Sequence, residues 1–132
     1  MGRFKFRTWD KTAKVMEQYH HLQLSPNGEL YHDGMNVTDN YEIMQYTGLK
    51  DSDGTEIYEG DVVTWYNPLI ETGERMTGVV VYDTKQATYK KCPINLYKAN
   101  AGNGGYTGYE FRWYDKVNVL GNIYKNQELL KN

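Results

Sequence analysis

Side chains alternate between apolar and polar along most of this chain, and a period of two confines it to β-structure. In RFKFRTW, residues 3–9, Phe4, Phe6 and Thr8 fall on one face and Arg3, Lys5 and Arg7 on the other. A strand there buries its rings and shows a basic ridge. The same pattern predicts strands over 15–24, 30–32, 41–47, 61–66, 77–83, 87–98, 106–114 and 116–124. TGVVVYD, residues 77–83, is the strongest of these, and Pro93 suits an edge position for the stretch around it. Apolar residues nowhere recur at intervals of 3, 4 and 7 over a helical length. Only the tail, 126–130, reads as a single helical turn with Asn126 as its N-cap. The fold class is therefore all-β.

Such a chain needs turns, and the residues that form them are frequent. Pro26-Asn27-Gly28 and Asp33-Gly34 mark two reversals, because proline fixes φ and Asn-Gly or Asp-Gly accepts positive φ. The stretch QYTGLKDSDGTEIYEGDVV, residues 45–63, poses a sharper question. It holds Asp51, Asp53, Glu56, Glu59 and Asp61 within eleven residues. A calcium loop needs D-x-[DN]-x-[DN]-G with an acid in twelfth place. Here the middle ligand is missing and the twelfth position is Val62, so no metal site is expected. Catalytic carboxylates need contrasting environments, and these acids sit among Gly, Ser, Thr and Lys. The expected reading is a two-residue hairpin turn at Asp53-Gly54 and a second reversal at Glu59-Gly60-Asp61, with most of the carboxylates in water.

Three segments carry a resemblance: KFRTWD at 5–10, YEIMQYTGLKDSDGTEIYEGDVV at 41–63 and VLGNIYKNQELL at 119–130. Taken together, the chain resembles the YopX family, small proteins encoded by bacteriophages and prophages. The segments lie at opposite ends of the chain, so the resemblance spans its length. Residues 64–116 are less characteristic, and TWYNPLIETGERMTG and ANAGNGG read as insertions of this member. The resemblance implies a mainly β fold containing a small barrel, a phage or prophage origin, and a function not established for the family. It supplies no catalytic residue, and Trp9, Asp10, Tyr46, Gly48, Gly54, Tyr58, Gly60, Asp61, Gly121 and Tyr124 are expected to serve the structure. Among them, Tyr58 should anchor the chain and Gly60 should allow a backbone angle that other residues resist.

With 132 residues, the expectation is one unit. Its N-terminal strands, about 1–50, pack beside a strongly bent, SH3-like barrel over about 57–124. Hydrophobic residues make up only 39%, so thirteen Tyr, three Trp and three Phe must supply much of the core. The expected core is Phe4, Phe6, Trp9, Ile43, Tyr46, Leu49, Ile57, Tyr58, Val62, Trp65, Val79, Val81, Val119, Leu120 and Ile123. The longest apolar run, 79–82, is too short to span a bilayer, and the N-terminus reads neither as a secretory signal nor as a myristoylation site. A single cysteine, Cys92, favours a reducing compartment, so a cytoplasmic location is expected.

A net charge of −2 argues against an unselective coat on nucleic acid, but the charge is unevenly spread. Residues 1–16 hold five bases against Asp10, residues 28–61 hold nine acids against Lys50, and residues 83–116 turn basic again. Such blocks suit pairing between lobes or between subunits, and a solvated surface accounts for them as well.

Catalysis finds little material, and no cofactor is implied. Ser25 and Ser52 stand in turn contexts, Cys92 lies on a predicted strand, and His20 and His21 project to opposite faces. The favoured expectation is a non-enzymatic protein-interaction or self-assembly module, with strands such as RFKFRTW adding to a neighbouring sheet edge. It implies a homo-oligomer, or a phage or host protein as partner, and no membrane. The alternative is a single-strand nucleic-acid or nucleoprotein surface built from Trp65, Tyr66, Lys90, Lys91, Arg112 and Trp113. Trp9, Tyr106, Tyr109 and Tyr114 would add further rings to it. A metal-dependent enzyme is the remaining class.

Overall fold

The computed structural model describes residues 5–17, 22–70, 73–99 and 108–131. In chain order these form β1 (Phe6–Asp10), β2 (Val15–Glu17), β3 (Gln23–Leu24), β4 (Leu30–His32), β5 (Met35–Asn36), β6 (Tyr41–Lys50), β7 (Glu56–Tyr58), β8 (Asp61–Tyr66), β9 (Met76–Asp83), β10 (Thr88–Pro93), α1 (Ile94–Ala99), β11 (Tyr109–Glu110) and β12 (Lys116–Asn122). Single 3-10 turns cover Thr38–Asn40 and Gln127–Leu130. The protein is all-β, as the alternation requires.

All described pairings are antiparallel, in three sheets with strand orders β2-β1-β6-β7, β3-β4-β5 and β11-β10-β9-β8-β12. The five-stranded sheet curls into a half-barrel. Its start corrects an expected boundary: residues 57 and 58 belong to β7, which pairs with β6 in the first sheet. The chain crosses to the curled sheet only at the corner of Glu59 and Gly60. Gly60 stands there with φ +88°, the left-handed angle that a side chain resists.

The curled sheet is buried on both faces. Val63, Trp65, Val80 and Val117 pack with Ile57 of β7 on one side, while Val62, Val79, Val81, Cys92 and Ile94 form a second cluster on the other. Leu96 and Tyr97 of α1, with Leu129 and Leu130 of the last turn, cover that second cluster. Continuous runs such as VVV in β9 therefore have two cores to fill, a pattern of doubly covered sheets rather than of one wet face.

Several expectations need correction. The stretch 87–98 is a strand only to Pro93, and one and a half turns of helix follow it. Proline cannot donate a ladder hydrogen bond, and α1 brings Ile94 and Leu96 onto the sheet. Among the described residues of the stretch 106–114, Tyr109–Glu110 is strand, and Asp115 N–H closes a turn on Arg112 C=O. Tyr106 and part of the expected 15–24 strand lie outside the described residues, as do Arg3, Phe4, His20 and His21. Leu49 (42% exposed) and Leu120 (48%) are surface residues, and Phe6, Trp9, Ile43, Val119 and Ile123 are half-buried. Asn126 does not cap the last turn with its side chain; its Oδ1 accepts from Asn122 N–H at 3.1 Å.

The acidic stretch does form a turn, but a longer one than two residues. Lys50 pairs with Glu56, leaving 51–55 as the connection, with Asp51 N–H donating to Thr55 C=O and Gly54 at φ +85°. Gly48, at φ +89°, lies within the preceding irregularity of the ladder. The two-residue Asp-Gly hairpin occurs at Asp33-Gly34 instead, where His32 pairs with Met35 and both turn residues have positive φ.

Candidate functional site

Asp51 and Asp61 are buried, not solvated as expected. Asp51 Oδ1 accepts the N–H groups of Asp53 and Thr55, and Oδ2 accepts Val119 N–H, which ties the turn to β12. Burial pushes this carboxyl up, but donation from Val119, Thr55 and Asp53 outweighs it and leaves the pKa below its ordinary value. Asp61 accepts from Arg7 Nη2 through Oδ1 at 2.5 Å and from Tyr58 N–H through Oδ2 at 2.7 Å. The Arg7 guanidinium lies 4.6 Å from the Tyr58 ring centroid, and Tyr58 in turn meets Tyr46 at 5.4 Å. Arg7 is thus drawn inward from the expected basic ridge. Asp10 Oδ1 accepts from Thr12 and Ala13 N–H and from Asn40. Trp9 stacks on Tyr124, centroids 5.6 Å apart, and Gly121 marks a bulge in β12.

The basic first block faces the acidic second block inside one chain. Lys5 pairs with Glu56, Arg7 with Asp61, and Lys11 with Glu42 at 3.2 Å. Between lobes or between subunits, these three pairs take the intramolecular option. β1 is also an inner strand, flanked by β2 and β6, so residues 8–10 do not offer the open edge expected of RFKFRTW.

The six residues of the expected nucleic-acid face do not share an exposed surface. Trp65, Lys90 and Lys91 are buried. Lys91, 1% exposed, pairs with Asp115 and sits between the rings of Trp65 and Phe111, at 5.0 and 5.2 Å. Burial lowers its pKa, and Asp115 opposes that shift. Lys90 points away to Asp83, at 2.9 Å. Tyr66 is half-buried with Arg75 over its ring, and Tyr109 tilts onto Trp65. Arg112 is exposed, and so is Trp113 at 90%.

Two concavities stand out. One, about 430 Å3, is lined by Leu49, Ile57, Phe111, Trp113 and Val117 together with Lys50, Asp51, Ser52, Arg112 and Asp115. The other, about 340 Å3, opens where the first sheet meets the curled sheet, among Glu42, Glu59, Tyr82, Thr84, Tyr97 and Tyr124. Neither was legible from spacing, because each gathers residues from segments far apart in the chain. Among the described residues, no group of three or more His, Cys, Asp or Glu is placed to hold a metal ion. No helix among them is long and apolar enough to cross a membrane.

The crystal structure of protein EF1440 from Enterococcus faecalis is similar over 96% of this chain and 97% of that one, at 26% identity and a TM-score of 0.53. The structure of protein yopX from Bacillus subtilis is similar over 98% and 99%, at 18% identity and a TM-score of 0.54, a likeness of fold alone. No curated protein matches. The family model described as YopX protein matches residues 5–131, and the chain belongs to that family.

Proposed function

We propose that the chain is a non-enzymatic self-assembly module that pairs with a second copy through the face carrying Trp113. One observation supports this reading: the exposed Trp113 forms part of the wall of a concavity that also has Leu49, Ile57, Phe111 and Val117 in its lining, alongside Lys50, Asp51, Ser52, Arg112 and Asp115. A two-fold interface is self-complementary, so a knob and a hole on one face let each copy fill the other. Tryptophan is the residue type most often found as an energetic anchor at such surfaces. The lining carries both signs, Lys50 and Arg112 with Asp51 and Asp115, which suits like surfaces meeting better than it suits a polyanion. Burial of Trp65, Lys90 and Lys91 removes half of the residues on which nucleic-acid binding would rest.

Light scattering on the wild type and on Trp113→Ala tests the reading. The wild type is expected to have the mass of two chains at tens of micromolar and the variant that of one, with the same circular dichroism. Equal masses for the two proteins would refute it.

A further inference from the structure

We infer that the cavity between the two larger sheets is a binding site for an aliphatic amine, with Glu59 as the counter-charge for its ammonium group. This site is separate from the Trp113 face and does not depend on self-association. At about 340 Å3 the cavity falls within the range of small-ligand sites. Its described lining contains two carboxylates and three tyrosines, and no lysine, arginine or histidine.

The two carboxylates differ. Glu42 is partly exposed and pairs with Lys11. Glu59 is half-buried, and the partner of its carboxylate among the described residues is Gln45 N–H at 3.5 Å, the limit of a hydrogen bond. A half-buried carboxylate that lines a cavity and makes one long hydrogen bond among the described residues is open to a charged partner there. Burial raises its pKa against the weak pull of that N–H. Its charge reaches the neighbouring rings: burial first, then Glu59, pushes the Tyr89 phenol up to about 12. Tyr124 is raised by burial and then by Glu42, Tyr97 and Glu59, with Arg7 opposing. Of the two carboxylates in the lining, Glu42 has Lys11 and Glu59 has no basic partner among the described residues, so a cation is the complement that Glu59 would take.

The walls select the kind of cation. Rings of Tyr82, Tyr97 and Tyr124 beside a carboxylate offer cation–π and charge-assisted contacts to an ammonium. Met44, Val81 and Ile123 supply apolar surface for an alkyl chain. A small hydrated metal ion would use neither the rings nor the apolar floor.

The test is calorimetric titration of the full chain with 1,5-diaminopentane, and with 1-pentanol as the neutral control. Saturable binding of the amine and none of the alcohol is expected. Glu59→Gln should weaken the amine at least tenfold, the scale of one charge-assisted hydrogen bond. Glutamine keeps the shape and removes the buried charge, so this variant should fold and melt no lower than the wild type. Trp113→Ala should bind the amine like the wild type, which separates this site from the assembly face. No saturable heat with the amine, equal affinity in Glu59→Gln, or Glu59-dependent binding of MgCl2 in place of the amine would each overturn the inference.

Discussion

Arg7 and Asp61, fifty-four residues apart, meet at 2.5 Å and join the first sheet to the corner from which the curled sheet starts. Both side chains are almost wholly buried. Burial raises the Asp61 carboxyl pKa against the pull of Arg7 and Tyr58 N–H, so dehydration outweighs the attraction in this pair. The pair fixes how the sheets meet more than it adds to net stability. Arg7→Met should lower the unfolding free energy by about 3 kcal/mol, because it leaves an uncompensated buried carboxylate. Arg7→Met combined with Asp61→Asn keeps the acceptor for Tyr58 N–H and should recover most of that loss. Urea unfolding of both variants checks this, and equal losses would contradict it.

Gly60 and Gly78 separate two reasons for a glycine. At Gly60 a Cβ would make only ordinary contacts, 3.4 Å from Met44 Sδ, but φ is +88°. Gly60→Ala should therefore cost on the order of 1 kcal/mol and about 4 °C in melting temperature. At Gly78 a Cβ would fall 2.4 Å from the Cys92 carbonyl oxygen and 3.0 Å from the Trp65 ring. That conflict is with the backbone of the neighbouring strand, so Gly78→Ala should cost about 3 kcal/mol. A calorimetric scan that ranks the two variants the other way would contradict the packing described.

Glu59 gives the protein a pH dependence of known sign. Its folded pKa lies above its ordinary 4.5, so between the two values the native state binds more protons than the unfolded state. Stability from this group therefore rises as pH falls through the raised value, and the gain is complete below the ordinary one. Glu59→Gln should be more stable than the wild type at neutral pH, and the difference should vanish below about pH 4.5. A difference that stays constant with pH would show that the charge of Glu59 costs nothing in the native state.

Alternation was enough to read the fold class and most strands, because a period of two is local. It could not show that the curled sheet is covered on both faces: VVVY looks the same whether one face or both are buried. For that reason Val63, Val80 and Val117 were absent from the expected core, while Leu49 and Leu120 were wrongly placed in it. Charge misled in the opposite direction. Lys91 and Asp61 look like surface residues until their partners, Asp115 and Arg7, arrive from distant strands. The cavity around Glu59 draws on β6, the Gly60 corner, β9, α1 and the segment after β12, a convergence that only tertiary structure creates.

Self-pairing through Trp113 is tested most directly by sedimentation equilibrium of the wild type over a hundredfold range of concentration. The expected result is a mass that climbs from one chain to two and stops there, with Trp113→Ala and Leu49→Lys held at one chain throughout. A wild-type mass of one chain up to 100 µM, or a dimer that both substitutions leave intact, would contradict it.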